Sequence, residues 1–133
     1  MEEARINITS EIKNIRKASS RILDSLFQYE LDEEVLFDIR LSAEEAIRNA
    51  IVHGNRNNKK LHVKIHYRVE NDSLNIEVED EGLGFKPEEL PDPKVSGNRL
   101  KESGRGICLI KRLMNRVEFN KKGNKIFMEK SLK

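Results

Sequence analysis

Three short stretches of this 133-residue chain place polar residues where they need a partner. Glu45, Asn49 and His53 fall four residues apart, so on a helix they stack along one line. That line borders an apolar stripe of Val35, Leu36, Ile39, Ala43, Ala46, Ile47 and Ala50, the spacing of a core-facing helix. A carboxylate, a carboxamide and an imidazole beside such a seam cost desolvation unless something pairs with them. Adjacent Glu44, four residues before Arg48, reads instead as half of an outward surface salt bridge, while Glu45 faces inward with Asn49. Asp80 is the second case. Leu74, Ile76 and Val78 alternate with Asn75, Glu77 and Glu79, and continuing that phase puts the Asp80 carboxylate on the dry face. Gly82 and Gly84 follow it. The third stretch, Ser103-Gly104-Arg105-Gly106, opens directly into the apolar run that begins at Ile107. A glycine turn at a helix start is an anion site, with free N–H groups, the positive dipole end and room for phosphate.

The remaining chain supplies elements to hold these stretches. Residues 5–8 alternate weakly and predict a short edge strand. Thr9 or Ser10 can cap a first helix carrying Ile12, Ile15, Ile22, Leu23, Leu26 and Phe27, ending near Tyr29. Asp32 caps the second helix, Glu33 and Glu34 fill its first turn, and Gly54 with the Asn55–Asn58 cluster stops it. Leu61 to Val69 and Leu74 to Val78 alternate as two strands around Asn71-Asp72-Ser73, with His62 and His66 on the wet face. Residues 86–102 carry Pro87, Pro91 and Pro93 without periodicity, a length that suits a lid or binding loop. After the helix from Ile107 to Met114, Val117–Asn120 and Lys125–Leu132 form a final hairpin. The order predicts an α+β fold, a mostly antiparallel sheet with helices packed on its dry side.

Composition narrows the function classes. A hydrophobic content of 37% with clear periodicity argues against disorder despite 36% charged residues, and residues 1–133 read as one domain. The single cysteine, Cys108, excludes an internal disulfide and a thiolate metal cluster. An acidic start and no long apolar run predict neither signal peptide nor membrane span, hence a cytoplasmic protein. Residues 70–98 hold nine acidic and two basic side chains, whereas residues 99–133 hold eleven basic and three acidic. That basic third lacks aromatic interleaving and matches no nucleic-acid motif, so phosphate groups or an acidic protein surface suit it better than DNA or RNA. Neither a Gly-x4-Gly-Lys-Ser/Thr loop nor the protein-kinase signature set is present.

Together, Glu45-x3-Asn49-Ala-x2-His53, Asp80-x-Gly82-x-Gly84 and Gly104-x-Gly106 resemble the N, G1 and G2 boxes of the Bergerat-type (GHKL) ATPases. Over about residues 10–132 the chain is most similar to the anti-sigma-factor serine/threonine kinases. The resemblance implies a two-layer α/β sandwich, a mostly antiparallel mixed sheet with helices packed on one face, and an ATP lid over about 86–103. It also implies ATP or ADP with Mg2+ as cofactors. Asn49 would ligate the metal, Asp80 would accept a hydrogen bond from the adenine amino group, and Glu45 would be the general base. Gly82 and Gly84 would let the backbone pass close to the base. Ser103, Gly104, Arg105, Gly106 and Ile107 would form the phosphate turn, and His53 would either line the site or cap the helix end.

The implied activity is transfer of the ATP γ-phosphate to a serine of an anti-anti-sigma protein. A sigma factor would be the second partner of a homodimer. One position departs from the family, whose kinases commonly carry an arginine just before the Ser-Gly of the third box; here it is Glu102. Lys101 or Arg105 could substitute, since a γ-phosphate needs only a positioned cation. An ATP-gated binding module without kinase activity is the alternative that Glu102 favours. A detached histidine-kinase catalytic domain is a further alternative, but the predicted first helix has no histidine to serve as phosphoacceptor.

Overall fold

The computed structural model describes residues 2–82 and 102–133. Strand β1 (Glu2–Thr9) leads into helix α1 (Lys13–Leu26), which tightens into a 3-10 turn at Phe27–Tyr29. Helix α2 (Glu33–Asn49) ends in a π turn at Ala50–Gly54, followed by β2 (His62–Glu70) and β3 (Ser73–Glu79). Helix α3 (Glu102–Leu113), β4 (Arg116–Phe119) and β5 (Lys125–Ser131) complete the described elements. The five strands form one sheet in the order β1-β2-β3-β5-β4, and every pairing is antiparallel. The α+β architecture expected from the sequence is therefore the observed one, with a wholly antiparallel sheet among the described residues.

Alternation decides which way the sheet faces. Val63, Ile65, Tyr67 and Val69 of β2, Leu74, Ile76 and Val78 of β3, and Ile126 and Met128 of β5 are all buried. Cross-strand pairing aligns Ile65 with Val78 and Ile126, and Tyr67 with Ile76 and Met128. A slip by one residue would turn each row to solvent, so burial itself sets the register. The β2–β3 turn has two central residues, Asn71 (φ 53°) and Asp72 (φ 61°). Their left-handed backbone matches the twist of a tight hairpin, and Ser73 already belongs to β3. Against this face α1 buries Ile15, Ala18, Ile22 and Leu26, α2 buries Ile39, Ala43, Ala46 and Ile47, and α3 contributes Ile110.

Several local expectations change. Strand β1 is longer than its weak alternation predicts, pairing from Glu2 opposite Val69 to Thr9 opposite His62. As an edge strand it buries only Ile6 among its described side chains, so most of its length carries little hydrophobic signal. Ser10 does not cap α1; it is buried and donates to the Leu61 carbonyl at 2.7 Å. Ile12 and Phe27, expected on the apolar face of α1, are exposed. Both lie just outside the helix, and the tighter 3-10 period at Phe27 rotates it off that face. Among the described residues, no helix is long and apolar enough to cross a membrane.

Lys130 of β5 joins three elements. Its Nζ lies 2.9 Å from Asp38 Oδ2 on α2 and donates to the Leu113 carbonyl at the end of α3 at 2.6 Å. Both side chains of the pair are only about one-seventh exposed (14% and 15%). A cation on the last carbonyls of a helix also favours its dipole. Lys130→Ala should lower unfolding stability by about 3 kcal/mol, because it strands a largely buried carboxylate. Urea denaturation followed by circular dichroism measures this, and a loss below about 0.5 kcal/mol would mark the pair as solvent-screened.

Candidate functional site

Helix α2 carries the first chemistry-bearing stretch, and it and the turn that follows it meet the other two. Its buried face is the predicted apolar stripe, and Glu45 and Asn49 sit half-buried at the border. Glu45 faces the first turn of α3: a Cβ built on Gly106 would lie 2.4 Å from Glu45 Oε1 and 2.8 Å from its Cγ. No residue with a side chain fits there unless Glu45 or α3 moves. Arg48 contacts this same carboxylate, with Nε 4.0 Å from Glu45 Oε2. The outward Glu44–Arg48 pair expected from spacing is not formed. Glu44 instead accepts a hydrogen bond from Ser19 on α1 at 2.7 Å, since a buried serine hydroxyl needs a partner and α1 packs on that side.

One turn further on, the Asn49 side-chain oxygen is buried without a hydrogen-bond partner among the described residues. Ser42 Oγ, seven residues earlier on the same helical face, shares that state. An unmet buried acceptor costs about 1–3 kcal/mol, so Asn49 Oδ1 is available to a cation or donor. This suits Mg2+, which takes oxygen ligands and is commonly held by one or two protein groups together with nucleotide phosphates. No three His, Cys, Asp or Glu side chains gather as a metal site among the described residues, and a nucleotide-bound magnesium requires no such cluster.

Beyond Asn49 the helix widens. The Asn55 N–H bonds the Ala50 carbonyl at 2.8 Å, a five-residue span, and Asn57 reaches back to Ile51. The wider turn breaks the four-residue stacking at His53, which is exposed and, among the described residues, takes part in none of the contacts joining the three stretches. The expected alignment of His53 with Glu45 and Asn49 is thereby corrected. Gly54, read from sequence only as a stop signal, becomes a contact point: its Cβ would lie 2.3 Å from Asp80 Oδ2. A Cβ on Gly82 would lie 2.0 Å from the Gly54 carbonyl oxygen. Asn55 is buried as well and bonds Ser10, His62 and Glu81.

Asp80 occupies the dry side as its phase predicts and is only 9% exposed. Its Oδ1 accepts the Gly82 N–H at 2.8 Å. Asn124, in the β4–β5 turn, holds its main chain from both sides, accepting from the Asp80 N–H and donating to the Asp80 carbonyl, each at 2.9 Å. Burial raises the carboxyl from 3.8 to about 6, against the Gly82 N–H and Lys122, with Glu79 adding to the rise. At neutral pH it is mostly an anion, hence a pure acceptor.

The turn expected to hold phosphate differs in one respect from expectation. Ser103, Gly104, Arg105 and Gly106 do not precede the helix but form the first turn of α3, which begins at Glu102. Arg105 is exposed, whereas Gly106 and Ile107 are buried. Gly84, Lys101 and most of the lid expected over 86–103 lie outside the described residues. Gly54, Asn55 and Asn124 are the participants that sequence reasoning missed. The Gly-Asn pair after a helix carried only a stop signal, and nothing local marks Asn124.

These contacts bring the Asp80 and Gly106 stretches up to the helix that carries Glu45 and Asn49 and the turn that follows it. The family profile of the histidine kinase-like ATPase domain matches residues 8–130. The chain belongs to that family. Its relatives include an anti-sigma F factor of Clostridium acetobutylicum, 33% identical over 137 residues and covering 98% of this chain and 95% of the relative. An anti-sigma F factor of Clostridium perfringens is 32% identical over 127 residues, covering 90% and 91%. In fold, the chain superposes with a TM-score of 0.67 on a crystal structure of RsbU and RsbW domains from Mycobacterium tuberculosis. That likeness has 14% identity and covers 98% of this chain but 32% of the other. The GHKL resemblance read from the three boxes is thus borne out, and an ATPase domain carries nucleotide binding with it.

The raised carboxyl of Asp80 has a measurable consequence. Its folded value lies above its ordinary 3.8, so the protonated form favours the fold. That contribution is full below pH 3.8 and is lost as pH rises through about 6. Wild-type stability should therefore decline across this window by up to about 3 kcal/mol relative to Asp80→Asn. Urea midpoints of the two proteins across the window measure it, and parallel profiles would remove the buried-carboxylate account.

Proposed function

We propose that this protein is an ATP-binding anti-sigma regulatory factor that transfers the γ-phosphate of ATP to a serine of an anti-anti-sigma protein. The observation that carries the reading is the arrangement along α2. Glu45 stands against the first turn of α3, Gly54 stands against Asp80, and between them in the chain lies Asn49, whose oxygen has no partner among the described residues. In this reading Asp80 accepts from the adenine amino group, and its anionic form would repel the carbonyl that guanine carries at that position. The first turn of α3 receives phosphate oxygens on its free N–H groups. Asn49 holds Mg2+, whose chemistry is to offset the phosphate charge. Arg105 is an exposed cation in that same turn, suited to the γ-phosphate in place of the arginine that Glu102 replaces.

For transfer, Glu45 takes the proton of the serine hydroxyl as its oxygen attacks the γ-phosphorus. The bond to the bridging oxygen breaks, ADP leaves, and the partner becomes a phosphoserine protein. Names of relatives at about one-third identity support the anti-sigma role; in this reading a sigma factor is the second partner and a homodimer is the working form. Glu102 favours one alternative, an ATP-gated partner-binding module that transfers nothing.

Incubation with Mg-ATP and a cognate anti-anti-sigma protein, read by phosphoserine mass spectrometry, separates these readings. Wild type should phosphorylate, and Glu45→Gln should lower the rate by about 100- to 10,000-fold while ATP affinity stays near wild type. An unmodified partner that nevertheless binds in an ATP-dependent manner would establish the binding module instead.

A further inference from the structure

Asn55 is 2% exposed and uses both ends of its carboxamide. Its Nδ2 donates to Ser10 Oγ at 2.8 Å and to the His62 carbonyl at 3.0 Å, while its Oδ1 accepts the Glu81 N–H at 2.8 Å. The Glu81 carboxylate in turn accepts the His62 N–H. Asn55 thus connects the end of β1, the start of β2 and the turn after β3, directly behind the π turn that delivers Gly54 to Asp80. Around that turn, Asn124 holds the main chain of Asp80 itself. The next peptide is held by Asn55: the His62 contact fixes only the Glu81 side chain.

From this geometry we propose that Asn55 is a positioning residue for base selectivity, acting through the Asp80–Gly82 turn without touching the nucleotide. The inference rests on the reading of Asp80 as the acceptor of the adenine amino group. A hydrogen bond weakens steeply once its angle departs from linear. The discrimination that Asp80 provides therefore depends on where the peptide at Glu81 orients its carboxylate. If the Asn55 acceptor is removed, the Glu81 N–H loses its partner and the turn can rotate between Gly54 and Asn124. The phosphate end does not share this restraint. Glu45 and Gly106 meet more than two helical turns earlier along α2 through their own packing.

The test measures Kd for Mg-ATP, Mg-GTP and inorganic triphosphate on wild type, Asn55→Ala and Asn55→Asp, each checked for folding by circular dichroism. The ATP-to-GTP ratio is insensitive to any fraction of unfolded protein, which lowers both affinities equally. Wild type should prefer ATP. Asn55→Ala should lose about tenfold of that preference while keeping its triphosphate affinity. Asn55→Asp, which retains an acceptor for the Glu81 N–H, should restore the preference even at reduced thermal stability. An unchanged ratio in Asn55→Ala overturns the proposal, as does equal loss of ATP, GTP and triphosphate binding. Should Asn55→Ala not fold, Asn55→Ser is read against the same outcomes. A wild type that binds ATP and GTP alike overturns the adenine reading of Asp80, and this inference with it.

Discussion

Three approaches too close for a Cβ govern this structure. At Gly54 the obstacle is the Asp80 carboxylate at 2.3 Å, at Gly82 it is the Gly54 carbonyl at 2.0 Å, and at Gly106 it is the Glu45 carboxylate at 2.4 Å. Each brings main chain from one stretch against a functional group of another. Glycine is required here for space: the structure gives none of these three a left-handed φ, a conformation found at Gly123 instead. At Gly82 the obstacle is main chain, so a side chain there would force the turn away from Gly54, whereas at Gly54 and Gly106 a carboxylate would have to leave its present place.

Polar burial follows a pattern that distinguishes support from site. Asn55 is almost wholly buried with both ends of its carboxamide engaged, and Asn120 accepts from Gly123, Asn124 and Lys125 to shape the β4–β5 turn. Such satisfied amides cost little and hold geometry rigidly. Asn49 and Asp80 are different. The first has a buried oxygen without a partner among the described residues, and the second is a carboxylate buried enough to raise its proton affinity. Strain of this sort in electrostatic form persists where the surrounding fold enforces it, and here it gathers at the end of α2 and beside the turn that follows it.

The hydrophobic pattern made much of the fold legible. Period-two runs at 61–69 and 74–78 and a stripe at helical spacing along 35–50 each allow only one side to face inward. Strand β1 and the ends of α1 were harder to read, because an edge strand and helix termini bury too little to leave a pattern. The Glu44–Arg48 pairing failed for a related reason. Spacing identifies every neighbour within a helix, yet the choice of partner fell to Ser19, twenty-five residues away.

The sequence alone determined the α+β class, the antiparallel sheet, the dry-side position of Asp80 and the family. The first three follow from local periodicity, and the family from the likeness of three short motifs to its boxes. Only the tertiary structure decided that α2 widens after Asn49, that His53 leaves the line, and that Gly54, Asn55 and Asn124 surround the Asp80 turn. Those outcomes depend on contacts between segments tens of residues apart. Their free energies arise from close approach and from pairing buried donors with acceptors, quantities that exist only once the chain has packed.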